Sequence, residues 1–431
     1  MKSFFCVLFC TWSFFLVAKE KAFWPERHGP NRNGSVADSD LKELPTEWSE
    51  KKNVAWKFPI KGKGHSTPVI LGDNIWFTSA TVDGKEMYVY CINRHTGKVL
   101  HHKLIFKNTD PEPLGLGEKE NTYATPSCVA EPGAVYVHFG TYGTARLDAG
   151  TAETVWSRRD INVRHNVGPG SSPTLYKNTL ILTMDGLDKQ YITALDKKTG
   201  KTVWLTKRSV DFKDLVDGVP MREGGHRKAF GIAAIAETGG RAQLISVGAK
   251  AAYGYDADSG KELWILNHST FNAAVTPIYI AEHKMAIVNT GSAKATLYGI
   301  EVTENTKGKI NDTKHIKWSQ RRASRYCMPV YYKDHVYQIT DDGNLSCIDV
   351  KSGETKWKES LVRSFIASPI LAGDRIYIID KFGKATVFEA NPQKFIKIAD
   401  NELDAEVTAC PAVAEGSLFI RSKTHLYKIS R

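Results

Sequence analysis

The sequence has few of the motifs that usually mark a catalytic centre. It contains seven cysteines in 431 residues, and no two of them are adjacent or spaced as Cys-x-x-Cys. No cysteine motif therefore supports a zinc site or a thiol redox pair. His-Glu-x-x-His and Gly-x-Ser-x-Gly are also missing, which leaves metalloprotease and serine hydrolase functions without support. These absences do not exclude catalysis, because a site can assemble from distant loops.

Long apolar runs are scarce as well. The single example extends from Phe4 to Ala18 behind Lys2, and it is too short for a membrane span, so residues 1–18 are predicted to be a signal peptide. Residues 19–52 then form an N-terminal extension. Because no second run of membrane length follows, we expect an exported protein with no transmembrane segment, periplasmic or extracellular in a bacterium.

Positive charge is in excess but is not concentrated. The chain has 58 Lys and Arg against 47 Asp and Glu, a formal net charge of +11, and the basic residues are scattered through turns such as DKKTGK. A nucleic-acid-binding surface would need them in a stripe or patch. The distribution therefore predicts a solvated surface and no nucleic acid partner. We also expect a monomer.

One short phrase recurs along the chain. The stretch ALDKKTGKTVW, Ala194 to Trp204, includes TGKT, yet a phosphate-binding loop would need glycine where Leu195 stands. An Asp that bonds its own turn and a Gly that accepts positive φ instead predict a β-hairpin. Related phrases begin at Cys91, Arg146, Gly254 and Cys347.

A second phrase, with a small residue, Pro and two apolar runs, precedes the first. Copies begin at His65, Tyr123, Gly170, Asn272, Tyr326, Ile366 and Val407, and a copy from Lys228 has lost its Pro. Four short strands in each unit of roughly 40 to 50 residues are typical of a propeller blade. The sequence thus predicts an all-β protein, an eight-bladed β-propeller of four-stranded antiparallel blades over residues 53–431.

Tryptophans suggest how the ring is held together. Trp156, Trp204, Trp264, Trp318 and Trp357 end the fourth strand of five units, and we expect them to pack between neighbouring blades. The eighth unit has no room for a fourth strand, whereas NVAWKFPI at 53–60 stands alone before the first. An N-terminal strand around Trp56 is therefore predicted to close the ring and protect both sheet edges. Trp24 is expected to lie outside the ring.

The repeats resemble the pyrroloquinoline quinone (PQQ)-like eight-bladed propellers, marked by A-x-D-x-x-T-G-x-x-x-W. That family contains quinoprotein alcohol dehydrogenases and the propeller lipoprotein that assists outer-membrane β-barrel assembly. The stretches WPERHGPNRNG, NTYATPS, HFGTYGTARLD and HNVGPGSSP look like an exported bacterial subgroup. The resemblance covers residues 53–431 and implies the fold. It implies less about activity, because the repeat motif is what builds the blades.

An enzyme of this family would sandwich a quinone between a Trp and a ring of two adjacent bonded cysteines, and would bind Ca²⁺ through acidic and amide oxygens. No cysteine here neighbours another, and Cys91, Cys128, Cys327, Cys347 and Cys410 are predicted to be small buried packing residues. The pairs Asp185/Asp188 and Asp341/Asp342 offer Ca²⁺ ligands, but their positions favour turns. We therefore expect no cofactor and a non-enzymatic protein; the alternative is a PQQ- and Ca²⁺-dependent oxidoreductase with a divergent pocket.

Function in a propeller tends to lie where the inner strands begin, because those connections surround the channel mouth. We expect this rim to bind a ligand, with a merely solvated funnel as the alternative. The predicted partner is an envelope protein or a small anionic ligand or peptide, so the protein would be an exported binding or scaffolding protein. His165, if exposed, would titrate near neutrality. The predicted rim residues are His65, Asn121, Tyr123, His165, Asn166, His226, Arg227, Arg325, Tyr326 and Phe365.

Overall fold

Eight four-stranded antiparallel sheets surround a central axis in the computed structural model, which describes residues 21–37, 41, 44–292 and 294–431. The predicted eight-bladed propeller is confirmed. The predicted signal peptide lies outside the described residues and stays a prediction.

The strands are short and follow the sequence repeat. Two precede the first blade, β1 (Ala22–Trp24) and β2 (Val54–Pro59). Blade 1 consists of β3 (Val69–Leu71), β4 (Asn74–Ala80), β5 (Glu86–Asn93) and β6 (Val99–Lys107). Blade 2 consists of β7 (Val129–Glu131), β8 (Ala134–His138), β9 (Thr144–Asp148) and β10 (Thr154–Arg158). Blade 3 consists of β11 (Thr174–Tyr176), β12 (Thr179–Asp185), β13 (Gln190–Asp196) and β14 (Thr202–Lys207).

A small hairpin, β15 (Leu215–Val216) and β16 (Val219–Pro220), separates blade 3 from blade 4. Blade 4 consists of β17 (Ala234–Thr238), β18 (Arg241–Val247), β19 (Ala251–Asp256) and β20 (Glu262–Asn267). Blade 5 consists of β21 (Ile278–Ile280), β22 (Met285–Asn289), β23 (Thr296–Glu301) and β25 (Ile316–Arg321); between its last two strands, β24 (Gly308–Lys309) adds in parallel to β20 of blade 4.

The last three blades complete the ring. Blade 6 consists of β26 (Val330–Tyr332), β27 (His335–Ile339), β28 (Asn344–Asp349) and β29 (Thr355–Ser360). Blade 7 consists of β30 (Ile370–Ala372), β31 (Arg375–Ile379), β32 (Lys384–Glu389) and β33 (Lys397–Glu402). Blade 8 consists of β34 (Ala412–Ala414), β35 (Ser417–Arg421), β36 (His425–Ile429) and β2. The described 3₁₀ helices are Gly115–Lys119, Gly140–Tyr142, Met221–Gly224 and Ala281–His283.

The closing strand is confirmed. β2 pairs antiparallel with β36, with Trp56 opposite Lys428, so the first and last parts of the propeller share one sheet. Blade 8 therefore has four strands, as its neighbours do, and β2 covers the edge of β36 that would otherwise be unpaired.

The recurring phrase is a hairpin that also joins blades. In blade 3, Asp196 accepts a hydrogen bond from the Thr199 amide at 2.8 Å, and Gly200 has φ of +71°. The indole of Trp156 in blade 2 lies against that glycine, and its Nε1 donates to the Lys197 carbonyl at 2.9 Å. A local turn thus provides both the hairpin and the docking surface for the preceding blade.

Other blades repeat this contact, which confirms that the tryptophans pack between sheets. The indoles of Trp56, Trp204 and Trp318 lie against Gly97, Gly260 and Gly353 of the next turn. Trp264 departs from the pattern, because its indole covers Gly254 of its own blade and its Nε1 donates to Gln243 at 3.0 Å.

The cores between blades are apolar and include the cysteines. Cys91, Cys128, Cys327, Cys347 and Cys410 are all buried, as predicted. Among the described residues no helix is long and apolar enough to cross a membrane.

Asp185 was expected in a turn, and the structure corrects this. It ends β12 and forms a buried ion pair with Arg208, whose Nε and Nη2 donate to the carboxylate at 2.9 and 2.8 Å. A buried carboxylate needs such a partner, so Asp185 is part of the core rather than of a turn.

Residues 24–36, which we call the axial plug, cross the end of the channel where the inner strands finish. Trp24 is 1% exposed and its strand β1 pairs with the inner strand of blade 1, so the expectation that it lies outside the structured ring is wrong. The plug then reaches blades on opposite sides of the axis. Its hydrogen bonds join Pro25 to Ala130 in blade 2, Arg32 to Leu175 in blade 3, His28 to Thr276 before blade 5, and Val36 to Leu371 in blade 7.

Candidate functional site

A cavity of about 540 Å³ lies at the other end of the channel, where the inner strands begin. Its walls come from the connections that enter the inner strands, and Arg27 of the axial plug reaches into it from the far end. The plug therefore gives the channel a floor, and the cavity is a funnel open at the mouth. Its volume is in the range of small-molecule binding sites.

Six of the ten residues predicted at the rim line this funnel. They are His65, Asn121, Asn166, His226, Arg325 and Tyr326. They come from the connections into the inner strands of blades 1, 2, 3, 4 and 6, which the ring brings together. Whether they bind a ligand stays a prediction.

The structure corrects the placement of Tyr123 and Phe365, which do not line the funnel. Tyr123 is buried, covers Gly84 and donates its hydroxyl to the Glu112 carbonyl at 2.9 Å. Phe365 is fully buried in the core shared by blades 6 and 7. Both aromatic side chains pack inward because removing their apolar surface from water is favourable.

His165 and Arg227 are corrected in the same way. His165 is 6% exposed against Phe230, and burial lowers its pKa to about 4, so it is neutral at pH 7 and does not titrate near neutrality. Arg227 is held by both oxygens of Asp214, at 3.0 and 2.5 Å, and lies over the Phe212 ring. Arg227 therefore ties down the loop before blade 4 instead of facing a ligand.

Cationic groups dominate the funnel walls. Arg27, Arg222, Lys228 and Arg325 line it, whereas Glu120 is the one carboxylate among the described lining residues. Glu120 is exposed at the mouth and accepts from the Tyr326 hydroxyl at 2.7 Å.

Lys228 and Arg27 are less exposed than Glu120, and few acceptors compensate their charges. Lys228 is 5% exposed, donates to Asn166 Oδ1 at 2.7 Å, and has a pKa lowered by burial. The Arg27 side chain makes no hydrogen bond or ion pair with any residue that the structure describes. A partly buried guanidinium without a protein partner attracts an anion.

The two funnel histidines are uncharged at neutral pH. Burial, followed by the charge of Arg421, lowers the pKa of His65 to about 3. Burial also lowers the pKa of His226, whose ring lies 4.3 Å from that of Phe271. They therefore provide neutral donors and acceptors rather than charge.

Apolar and amide groups complete the walls. Phe230 and Phe271 face the cavity, as do Val167 and Ile366. The Oδ1 atom of Asn272 is buried without a hydrogen-bond donor. An occupant is therefore offered aromatic surface and one unused acceptor beside the cations.

Exposed apolar side chains form a collar beside the mouth. Leu116 is 97% exposed in the 3₁₀ helix Gly115–Lys119 and touches the funnel. Leu215, Val216 and Val219, each more than half exposed, lie in the hairpin directly before the lining residues Arg222 and His226. Exposed apolar residues that border a ligand-sized cavity are candidates for a contact surface. We call these four residues the apolar collar.

Several lining residues were not predicted from the sequence. Lys228, Phe230, Phe271 and Asn272 lie in loops already singled out, each within a few positions of a predicted residue, and only the side chain's direction was unknown. Arg27 had no comparable signal, because it lies far from any inner strand in sequence.

A closed propeller with a plugged, basic funnel defines the class of protein, and comparison with known proteins identifies the family. The family model described as outer membrane protein assembly factor BamB matches residues 188–431. The chain belongs to this family of PQQ-like propellers.

Individual relatives are distant. BamB of Salmonella typhimurium is 29% identical over 108 residues, which span 21% of this chain and 26% of that protein. The crystal structure of BamB from Moraxella catarrhalis superposes with a TM-score of 0.59 at 14% identity, covering 87% of this chain and 99% of that one. Quinohemoprotein alcohol dehydrogenase from Comamonas testosteroni gives 0.66 at 13% identity, covering 94% and 80%. At such identities the structural likeness shows the fold alone.

The PQQ and Ca²⁺ of the oxidoreductase alternative raised from the sequence do not fit the described residues of this funnel. No group of three or more His, Cys, Asp or Glu in the described ranges is arranged to hold a metal ion. Asn121, an amide beside Glu120, uses its Nδ2 on the Val167 and Pro169 carbonyls and its Oδ1 on the Thr122 amide. No tryptophan is among the described residues that line the cavity. The oxygen ligands and the tryptophan cover expected for that cofactor are therefore not assembled among the described lining residues.

Proposed function

We propose that this protein is an exported, non-enzymatic propeller that acts as a binding and scaffolding protein in the bacterial envelope, and that the funnel face is its binding surface. The observation that supports this most is the combination, on one face, of the basic funnel with the apolar collar. Family membership supports the same role, since the family is described by outer-membrane protein assembly.

The collar favours a protein partner. Leu116 lies in the connection between blades 1 and 2, and Leu215, Val216 and Val219 lie in the connection between blades 3 and 4. All four are exposed on these connections and are not part of a blade strand, so a partner can cover them without disturbing the ring. Burying apolar side chains contributes about 25 cal/mol for each Å² removed from water. Cations around the mouth would select a partner that presents acidic groups.

Site-specific photo-crosslinking in the envelope tests the proposal. A photoreactive residue at Leu116 should crosslink to a defined envelope protein, whereas one at Val203, exposed on the outer strand of blade 3, should not. In a collar variant, Leu116→Ser with Val216→Ser and Val219→Ser, the complex should be lost.

The matched control removes apolar groups from the blade exterior. Val155→Ser with Val203→Ser and Leu205→Ser changes one leucine and two valines that are each about half exposed, and it should leave the complex intact. Retention of the complex by the collar variant, with an unchanged melting temperature, would contradict the proposal. Equal loss in the control would also contradict it, since the contact would then not belong to the funnel face.

The oxidoreductase alternative has its own test. Purified protein is incubated with Ca²⁺ and PQQ, separated from free quinone, and its absorption spectrum and alcohol-dependent dye reduction are recorded. We expect no retained quinone absorbance and no dye reduction. Retained quinone together with dye reduction would overturn the non-enzymatic assignment.

A further inference from the structure

The axial plug holds Arg27 in a fixed direction. On one side of it Glu26, which is buried, accepts a hydrogen bond from the Thr174 hydroxyl at 2.9 Å. On the other side His28, also buried, lies 3.1 Å from the Thr276 hydroxyl. These contacts anchor the backbone to blade 3 and to the start of blade 5. Arg27, between them, is directed into the funnel.

The funnel floor is consequently cationic. Arg27 has no carboxylate partner among the described residues, and Lys228 has a single amide acceptor for its three donors. Glu120 does not compensate the charge of either cation. It is exposed at the mouth, where its carboxylate accepts a hydrogen bond from Tyr326. A charged donor left unpaired in a recess costs free energy that a bound anion would recover.

The rest of the funnel lining includes aromatic side chains and an amide. Phe230 and Phe271 provide aromatic surface, and the unpaired Oδ1 of Asn272 would accept a hydrogen bond from an occupant. The complementary molecule has an anionic group at one end and an apolar, preferably flat, body behind it. A bare inorganic anion would leave the aromatic walls uncovered.

We infer that the funnel is a binding site for small organic anions with an apolar body, and that Arg27 of the axial plug is the residue that binds the anionic group. This inference rests on the proposed function for the location of the binding face, and it adds a ligand class and a binding residue. It concerns the interior of the funnel, whereas the protein partner is proposed to contact the collar.

Fluorescence titration with 1-anilinonaphthalene-8-sulfonate tests the inference, since this probe joins a sulfonate to an aromatic body. Neutral N-phenyl-1-naphthylamine, which lacks the sulfonate, is the matched probe. The variants are Arg27→Gln, Arg27→Lys and, as a control for net charge, Lys207→Gln on the exposed outer strand of blade 3. Lys228→Gln provides a second test of the floor should Arg27→Gln fail to fold.

Wild-type protein should bind the sulfonate saturably at one site. Arg27→Gln should weaken that binding about tenfold or more, as expected for loss of a charge-assisted hydrogen bond. Arg27→Lys should keep most of the affinity, Lys207→Gln should keep all of it, and no variant should alter binding of the neutral probe.

Three results would overturn the inference: no saturable binding to the wild type, full affinity in Arg27→Gln or in its replacement Lys228→Gln, or an equal loss for the neutral probe. The crosslinking experiment is independent of this titration. A protein that crosslinks through its collar but ignores the sulfonate would refute this inference alone.

Discussion

Replacing Gly353 by alanine tests the contact that joins blades 5 and 6. Gly353 has φ of +72°, and a Cβ at this position would lie 2.4 Å from Cγ of Trp318. Trp318 has little freedom to yield, because it is 8% exposed and its Nε1 donates to the Val350 carbonyl at 2.8 Å. The substitution therefore adds overpacking to backbone strain.

The two contributions can be separated with a matched glycine. Gly133 has φ of +81°, and a Cβ there meets nothing within 4 Å. Gly133→Ala should cost only the strain of positive φ, about 1 kcal/mol. Gly353→Ala should cost about 2 to 4 kcal/mol, because overpacking a dense core adds about 1 to 3 kcal/mol.

Urea denaturation followed by circular dichroism measures both losses. The double variant Gly353→Ala with Trp318→Ala should show strong non-additivity, since once the indole is gone the added methyl group has space and costs about as much as at Gly133, about 1 kcal/mol. Equal losses for the two glycine variants, or strict additivity in the double variant, would refute the interblade contact as described.

Three further predictions concern the ends of the ring and its buried histidines. Deleting residues 53–60 should expose a sheet edge and give aggregated or protease-sensitive protein; an unchanged melting temperature would contradict the closure. Trp24→Ala should destabilise about as much as Trp204→Ala, about 3 to 5 kcal/mol for truncating a buried tryptophan; a negligible effect of Trp24→Ala in thermal unfolding would contradict its place in the core. His165 has its pKa lowered to about 4 in the fold, so the unfolded chain binds its proton first and stability should fall as the pH drops from about 6.5 towards 4. His165→Asn should lose less stability than the wild type between pH 7 and pH 4.5, and identical losses would argue against the buried neutral ring.

The blades could be predicted because residues close together in the chain specify their strands and turns. Asp196, Thr199 and Gly200 form the same turn wherever their equivalents recur, and the apolar runs on either side alternate with the period of a strand. The closing role of the strand around Trp56 could be predicted by counting strands. A ring of eight four-stranded blades needs one strand more than the last repeat provides.

The funnel was predictable in position but only partly in composition. Position along an entering loop indicates that a residue is near the mouth, yet neighbouring side chains in a loop can point in opposite directions. His226 lines the funnel whereas Arg227, one residue later, turns away to Asp214. His165 and Asn166 also point in different directions. The His165 imidazole packs on Phe230, whereas the Asn166 side chain lines the funnel and accepts a hydrogen bond from Lys228.

By itself, then, the sequence determined the number of blades, the strand order, the turn chemistry and the face on which a site would lie, since each depends on residues close together in the chain or on a repeat that can be counted. The tertiary structure alone decided that residues 24–36 cross the axis and that Arg27 becomes the funnel floor. Those contacts join residues far apart in sequence, such as His28 and Thr276. Their geometry is set by the assembled ring, and no local periodicity encodes it.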